Sequence, residues 1–353
     1  MHEDLSPPPI REFADHGIKW LLETPDHVWS LLRILAADLA NCLDFSRLEP
    51  LKTDFIPDNL REQYADIVFL CPFRDAAGER EVVIVLLIEH QTEADPTMPF
   101  RLLFYMVLIW DAQRRKYLDE KVPKSQWRFR PVLPIVFHTG TSPWTASLDM
   151  AALMDLPEAL KSYVPRHDTL LLSLEATERA TLVAEERPFG WLMWALQQAE
   201  VPLEKFIAVL QEVMAHLEIL PDREHQAWVK AVYYLALIIY HRREAPDRPA
   251  LLEVIQAGVK DRRQQEEIEE MGKTIAQALI EEGEARGEVR GKAQGALQKS
   301  QEILLALLEE KFGTLSAQIH EQVQAIRDSE RLSALIRRIL TANTLSDLGL
   351  AEG

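Results

Sequence analysis

Residues 64–70 read Tyr-Ala-Asp-Ile-Val-Phe-Leu, and residues 82–91 read Val-Val-Ile-Val-Leu-Leu-Ile-Glu-His-Gln. Both stretches are rich in β-branched and aliphatic residues, and a turn-forming stretch separates them, which predicts an antiparallel β-hairpin. A hairpin folded about its midpoint places Asp66 opposite Glu89, with Cβ atoms roughly 5 Å apart. Gln91 shares the face of Glu89 because strand side chains alternate. We therefore expect Asp66, Glu89 and Gln91 on one patch of a sheet.

Two opposed carboxylates indicate a metal site, because they repel each other unless a cation lies between them. A hard cation such as Mg²⁺ takes oxygen ligands of this kind beside phosphate substrates, and it acidifies water for attack on a phosphodiester. The structural alternative is that Asp66 caps the hairpin and Glu89 ends a buried strand. No P-loop, GxGxxG, HExxH, CxxC pair or GxSxG motif is present in the sequence, which argues against most other enzyme classes.

The composition is that of a folded, soluble protein. The chain has 353 residues, of which 47% are hydrophobic and 27% are charged, as in ordinary globular proteins. Its apolar runs are shorter than the roughly 20 residues of a membrane span, and residues 1–9 lack the pattern of a secretory signal. The two cysteines provide neither a disulfide framework nor a zinc site. We therefore expect a cytoplasmic protein with no membrane contact.

The net charge of −17 argues against binding nucleic acid through bulk electrostatics. Any contact with DNA must be local, and residues 113–130 are the best candidate because cations outnumber acids there. The alternative is a solvated helix end and loop. The cations of this stretch are Arg114, Arg115, Lys116, Lys121, Lys124, Arg128 and Arg130.

The order of predicted elements indicates an α/β or α+β core followed by helices. Apolar residues recur at helical spacing in residues 18–39 and 100–118, while residues 47–56, the hairpin and 131–138 have strand character. These segments give the order αβββαβ. Pro134 favours an edge position or a strand that begins after it. Beyond about residue 175 the pattern is helical, clearest in 191–199, 203–220 and 224–242.

The C-terminal part contains a glycine repeat and an amphipathic helix. Glycines recur every four residues at 283, 287, 291 and 295, and each costs a helix about 1 kcal/mol relative to alanine. A helix there needs a close partner, and a flexible linker is the alternative. The next apolar residues have helical spacing and precede Gly313, which we expect to cap the helix. Its partner is a neighbouring helix of the same chain or a second copy.

Four motifs together resemble the Rpn family of recombination-promoting nucleases, which are also labelled putative transposases. The motifs are Asp66-Ile-Val-Phe, Leu-Ile-Glu89-His90-Gln91, Arg101-Leu-Leu-Phe-Tyr105-Met and Pro134-Ile-Val-Phe-His-Thr-Gly140. The resemblance covers roughly residues 10–175. It implies a PD-(D/E)XK nuclease-like αβββαβ core with an all-helical C-terminal extension.

The resemblance also implies a divalent-metal-dependent DNA endonuclease that acts in recombination, mobile-element movement or foreign-DNA defence. By this likeness Asp66 and Glu89 are ligands of Mg²⁺ or another divalent cation, and Asp15 completes the metal shell. The alternative for Asp15 is an exposed ion pair with Lys19, four residues later on the first helix. Gln91 stands where the wider superfamily has lysine. A neutral amide orients water only by hydrogen bonding, so this departure puts the rate in doubt.

Three further residues are weaker candidates for substrate binding. Arg101 and Tyr105 share a helix face, from which they either reach the substrate phosphate or brace Glu89. His138 ends a strand near the expected cleft, whereas His90 points away from the face of Glu89.

The expected organisation has three parts. Residues 1–175 form the nuclease-like domain, residues 176–260 form a helical domain, and residues 261–353 form a helical region that assembles copies of the chain. Two other functions stay open. The first is a non-catalytic interaction or regulatory protein that retains the nuclease fold. The second is a ribonuclease-H-like transposase, which the short hairpin pairing disfavours.

Overall fold

The structure is a computed structural model that describes residues 13–51, 67–73, 82–220, 225–259, 262–339, 341–342 and 344–350. Within these residues five strands form one sheet in the order β1-β2-β3-β4-β5. The strands are β1 (Glu49–Pro50), β2 (Ile67–Phe73), β3 (Val82–Gln91), β4 (Val132–His138) and β5 (Leu170–Ser173).

Helices precede, interrupt and follow the strands, which confirms the predicted α/β class. Those before β5 are α1 (Phe13–Leu22), α2 (Pro25–Leu35), α3 (Ala37–Asn41) and α4 (Met98–Asp119). Those after β5 are α5 (Arg179–Leu182), α6 (Pro188–Gln197), α7 (Leu203–Glu218), α8 (His225–Arg242), α9 (Arg248–Ala257), α10 (Arg262–Phe312), α11 (Ala317–Gln324) and α12 (Ser329–Ile339). Proline at the first helical positions helps α2, α4, α6 and α9 to begin where they do.

The register of the predicted hairpin is confirmed for the strand residues that the structure describes. β2 and β3 are antiparallel, with Ile67 opposite Ile88 and Phe73 opposite Val82. β3 and β4 are parallel, and Gln91 lies opposite His138 at their carboxyl ends. The connection between these two parallel strands contains α4, as a parallel pair requires.

Both faces of the sheet are covered, so the central strands are apolar on both sides. On one face Val68, Leu87 and Val136 pack in a cluster with Leu102 and other residues of α4. On the other face, α1 contacts β3 and α2 contacts β5. The side chains of β3 therefore alternate between the α4 layer and the layer of α1 and α2.

Pro134 lies inside β4, a strand with neighbours on both sides, rather than on an edge strand. Leu174 N–H donates to the His138 carbonyl on the β5 side, and alternation places the nitrogen of Pro134 on that same side. In the described register, β5 joins only from Ile135 onward. The missing N–H therefore costs no ladder hydrogen bond.

The chain divides into two compact units, residues 1–275 and residues 276–353. In the second unit, the end of α10 packs with α11 and α12 around Leu304, Leu308, Ile319, Val323 and Leu332, all buried. The amphipathic segment before Gly313 thus packs on helices of its own chain. The backbone of the glycine repeat is helical within α10, so the linker alternative is wrong for this stretch. The predicted three-part division stays a prediction.

No helix in the described parts of the chain is long and apolar enough to cross a membrane.

Candidate active site

The candidate site is built around Glu89, near the carboxyl end of β3. Its side chain faces α4, in the same alternating set as Val85 and Leu87, and the residue is 0% exposed. Arg101, in the first turns of α4, donates from Nη2 to Glu89 Oε2 at 3.0 Å. A carboxylate removed from water needs such a charged donor. Arg101 therefore braces Glu89, one of the two roles expected for it.

Asp95 holds the other side of the Arg101 guanidinium. Arg101 Nη1 donates to Asp95 Oδ2 at 2.7 Å, and the backbone N–H and hydroxyl of Thr97 donate to Asp95 Oδ1 at 2.8 and 2.7 Å. Burial alone would raise the pKa of Asp95, but these hydrogen bonds hold it below its ordinary value. Burial would lower the pKa of Arg101, but Asp95 and Glu89 raise it. The guanidinium is thus a fixed positive charge between two carboxylates.

Asp66 lies outside the described residues. The backbone of Asp15 belongs to α1, but its side chain is also outside what the structure describes. Gln91 is half-buried at the end of β3, two residues after Glu89 and on the same face. The structure therefore places Glu89 and Gln91 together, while the positions of the two aspartate side chains stay predictions.

Tyr105 and His138 are buried, at 1% exposure each. Tyr105 belongs to the apolar cluster between α4 and the sheet. His138 contacts Trp144, with ring centroids 5.5 Å apart. Burial lowers the pKa of His138, against the opposing effects of its hydrogen bond with the Thr92 backbone and the charge of Glu175. Neither side chain lies on an open surface where it could meet a substrate directly.

His90 points to the opposite face, as its position in the strand predicts. Its Nε2 is 2.7 Å from the Thr139 hydroxyl, and its ring lies against Phe137, with centroids 5.9 Å apart. These contacts link β3 to the end of β4 and give His90 a structural role.

The backbone beyond β4 passes very close to the strand end. Thr139 N–H donates to the Gln91 carbonyl at 2.9 Å. A Cβ atom on Gly140 would lie 2.1 Å from the Thr92 carbonyl oxygen and 2.6 Å from His138 Nε2. Only glycine fits this approach, which explains the glycine in the Pro134–Gly140 motif. Thr139 and Gly140 also line a cavity of about 290 Å³, but Glu89 does not.

The metal prediction is only partly tested by these contacts. Among the described side chains, no group of three or more His, Cys, Asp and Glu residues could hold an ion. Glu89 offers a buried carboxylate, an oxygen ligand of the type that Mg²⁺ prefers. The donor chemistry therefore fits a hard divalent cation, provided that Asp66 and Asp15 supply the remaining ligands.

Sequence reasoning missed Asp95 and Thr139. The signal for Asp95 was the stretch Asp95-Pro96-Thr97 just before α4, because an aspartate there forms a turn with the following backbone. Asp95 also binds Arg101, and this contact depends on how the first turn of α4 faces the sheet. Thr139 lies within the Pro134–Gly140 motif, but its contact with His90 could not be predicted from the sequence.

Comparison with known proteins gives a family match and several relatives. The family model described as putative transposase, YhgA-like, matches residues 14–227. An inactive recombination-promoting nuclease-like protein of Escherichia coli K12, RpnE, is 32% identical over 149 residues, which are 41% of this chain and 45% of that protein.

Two further relatives are named as nucleases. The recombination-promoting nuclease RpnD of Escherichia coli O157:H7 is 30% identical over 136 residues, or 38% of this chain and 48% of that protein. RpnA of Escherichia coli K12, also named a recombination-promoting nuclease, is 29% identical over 137 residues, or 38% of this chain and 42% of that protein. The chain thus spans less than half of each of these relatives. No solved structure matches the chain significantly.

Proposed function

The chain belongs to the YhgA-like putative transposase family, and from this membership we propose that it is a divalent-metal-dependent DNA endonuclease. Its role would lie in recombination, mobile-element movement or foreign-DNA defence. The observation that carries the proposal is the fully buried Glu89 near the end of β3, held by Arg101, which Asp95 binds from the other side. A fixed, desolvated carboxylate at a strand end is an arrangement suited to chemistry.

The reaction class draws support from two relatives whose names include recombination-promoting nuclease. Because this chain spans less than half of them, the activity of the whole protein and its DNA substrate are part of the proposal. The PD-(D/E)XK assignment of the core is proposed on the same basis. The sheet is compatible with it, since three strands, α4 and a parallel fourth strand follow in the predicted order.

In this proposal Asp66 and Glu89 hold the cation, and Asp15 completes its ligands. Asp66 immediately precedes Ile67, which pairs with Ile88, so one further step of that register would bring Asp66 opposite Glu89. When bound, a divalent cation supplies positive charge at the scissile phosphate and acidifies the attacking water.

In the proposal, Arg101 positions the Glu89 carboxylate, and Gln91 positions the attacking water. Arg101 keeps one oxygen of Glu89 in place and balances the charge of the buried carboxylate. Because Asp95 also binds the guanidinium, Arg101 is a positioning residue rather than a group that needs to touch the phosphate. The Gln91 amide accepts a hydrogen bond from the attacking water and orients it, without the positive charge that a lysine would add.

A second candidate is a non-catalytic protein that retains this fold. Two observations favour it: the neutral Gln91 at the proposed site, and a relative at 32% identity whose name includes the word inactive. Such a protein would act through binding, and the buried Glu89–Arg101–Asp95 network would then have a structural purpose only.

Plasmid cleavage separates the two candidates. Purified wild-type protein should nick supercoiled plasmid with Mg²⁺ or Mn²⁺ and stop when a chelator is added. Asp66→Asn and Glu89→Gln remove the ligand charge while they keep side-chain size, so both should reduce cleavage by at least about 100-fold. Glu93→Gln is the matched control, because Glu93 is exposed and lies two residues beyond Gln91.

Each variant is compared with the wild type by thermal unfolding, so that loss of cutting in a folded protein is separated from loss of folding. Equal cutting by Asp66→Asn, Glu89→Gln and the wild type would reveal a contaminating nuclease and end the catalytic proposal. No cutting by the wild type with any divalent metal would favour the non-catalytic candidate.

We also propose that residues 261–353 assemble copies of the chain, which would let two strands be cut together. The described apolar residues of the second unit pack mainly against one another, so such an interface would use other surfaces, among them the exposed Ile303.

A further inference from the structure

The far end of α4 carries an aromatic cluster among cations, remote from Glu89. The rings of Tyr117 and Trp127 are stacked, with centroids 5.8 Å apart, and the Phe129 ring lies 6.2 and 6.4 Å from them. Tyr117 and Trp127 are half-buried, whereas Phe129 is 46% exposed. We call the surface formed by these three residues with Lys121, Lys124 and Arg128 the aromatic–basic surface.

The loop that carries this surface is held firmly against α4. Tyr117 Oη donates to the Arg128 carbonyl at 2.6 Å, and Trp127 Nε1 donates to the Val122 carbonyl at 3.0 Å. Trp110 Nε1 donates to the Arg130 carbonyl, and Arg130 N–H donates to Gln113 Oε1, both at 2.9 Å. The exposed ring is thus fixed before any ligand arrives, which lowers the entropic cost of binding.

Six of the seven cations of residues 113–130 divide into two groups. Arg114 and Arg115 both pair with Asp111, and Lys116 lies 3.8 Å from Glu120. Among the described residues no acidic side chain forms an ion pair with Lys121, Lys124 or Arg128, all of which are exposed. In a chain of net charge −17, three exposed cations without an ion pair to a described side chain, on the segment that also carries an exposed ring, mark a site for a polyanion.

We propose that the aromatic–basic surface binds single-stranded DNA. Lys121, Lys124 and Arg128 would contact the phosphates, and an unpaired base would stack on Phe129. Duplex DNA fits less well, because its bases are already stacked on one another and offer no face to the ring.

The surface lies well away from the candidate active site. Tyr117 follows Arg101 by sixteen positions on one helix, which is about 24 Å along its axis. The proposal thus concerns a separate binding site, and it stands whether or not Glu89 is catalytic.

Fluorescence anisotropy in a chelating buffer tests binding without cleavage. The probes are a labelled oligothymidylate of about 16 nucleotides and a duplex of the same length. The wild type should bind the single strand more tightly. Phe129→Leu keeps apolar volume but removes the ring, and it should weaken binding to the single strand about 5- to 100-fold while duplex binding stays unchanged. Phe129→Trp should restore binding.

Charge is tested with the combined variant Lys121→Gln, Lys124→Gln and Arg128→Gln. The slope of log affinity against log salt for the single strand should become shallower by about 2, since each lost phosphate contact removes about 0.7. Phe100→Leu is the matched control at the opposite end of α4, where Phe100 is 55% exposed. It should leave affinity unchanged.

Three results would overturn the proposal. They are unchanged single-strand binding in a folded Phe129→Leu variant, equal wild-type affinity for single strand and duplex, and clearly tighter binding of an oligouridylate of the same length.

Discussion

The carboxylate of Glu89 is buried away from solvent, so its charge has to be compensated inside the protein. Desolvating a charge costs several kcal/mol unless a partner and further hydrogen bonds compensate. Arg101 supplies the charge, and Asp95, which accepts hydrogen bonds from Thr97, orients Arg101. The network fixes the position of the carboxylate, and a fixed carboxylate agrees with the proposed role in chemistry.

Replacing Arg101 by methionine should therefore lower the free energy of unfolding by about 3 kcal/mol, because Glu89 then loses its cation inside the protein. Urea denaturation of the purified variant measures the loss. Adding Glu89→Gln to the same chain should recover part of it, since a neutral amide needs no counter-charge. A double variant no more stable than Arg101→Met alone would show that Glu89 does not depend on this ion pair.

Helix α2 contains another buried ionisable residue, His27, at 3% exposure. Its Nδ1 lies 2.7 Å from the Leu21 carbonyl oxygen, and its ring contacts Phe189, with centroids 5.6 Å apart. Burial lowers the pKa of His27 from 6.5 to about 4; the hydrogen bond with Leu21 opposes this change, and the charge of Lys230 adds to it. The folded protein thus keeps His27 neutral over a range in which the unfolded chain protonates it.

Between pH 6.5 and 4 the unfolded chain therefore binds one more proton at His27, so stability should fall as the pH is lowered through this range. The expected loss from this residue is about 3 kcal/mol. His27→Gln keeps an N–H donor but does not titrate. In urea denaturation, the stability of this variant should therefore fall less between pH 7 and pH 4.5 than that of the wild type. His320→Gln, at a half-exposed histidine, is the control. Parallel declines for the wild type and His27→Gln would contradict the assignment.

Helix α10 continues through the glycine repeat although glycine disfavours helices. A Cβ atom added to Gly291 or Gly295 would meet no described atom within 4 Å, so at these two positions the close partner expected from the sequence is not seen. Gly313, just after the helix, has φ +83°, which confirms the predicted cap because this left-handed backbone favours glycine.

Gly291→Ala and Gly295→Ala should each raise the free energy of unfolding by about 1 kcal/mol, because alanine loses less backbone entropy. Gly313→Ala is the matched control, and there the same substitution should destabilise by about 1 kcal/mol. Thermal unfolding followed by circular dichroism measures all three. Destabilisation at Gly291 or Gly295 would instead indicate that a second copy packs closely on the repeat.

At the level of the complete chain, the two compact units have separate apolar clusters. The cluster of the second unit includes Leu308, which is 0% exposed, whereas Ile303 on the same helix is 44% exposed. Units with separate cores are expected to open independently of each other.

Leu308→Ala should lower the stability of the second unit by about 2–5 kcal/mol, since it leaves a cavity in the cluster. Amide hydrogen exchange should then be faster in α11 and α12 and unchanged in β3. Ile303→Ala should cost less than about 1 kcal/mol. Faster exchange in β3 would show that the units open together, and a large effect at Ile303 would place that residue in an interface between copies.

Local patterns were sufficient to predict the α/β class, the hairpin register and most helix boundaries. Strand alternation has a period of two, so a shift of one residue in β3 would move Leu87 and Glu89 to the opposite face. Proline and glycine restrict the backbone directly, and they mark the ends of α2, α6 and α10 in the sequence. The cations of residues 113–130 were also recognisable, although the ring cluster was not.

Local sequence patterns could not predict which distant segments of the chain contact each other. An amphipathic helix shows that one face must be covered but not by what, so the pairing of Leu308 with α11 and α12 followed only from packing. The same holds for Arg101, whose choice of Glu89 and Asp95 depends on the angle at which α4 crosses the sheet. Pro134 was accommodated inside β4 because β5 begins one residue later, and that offset is a property of the assembled sheet rather than of any single strand.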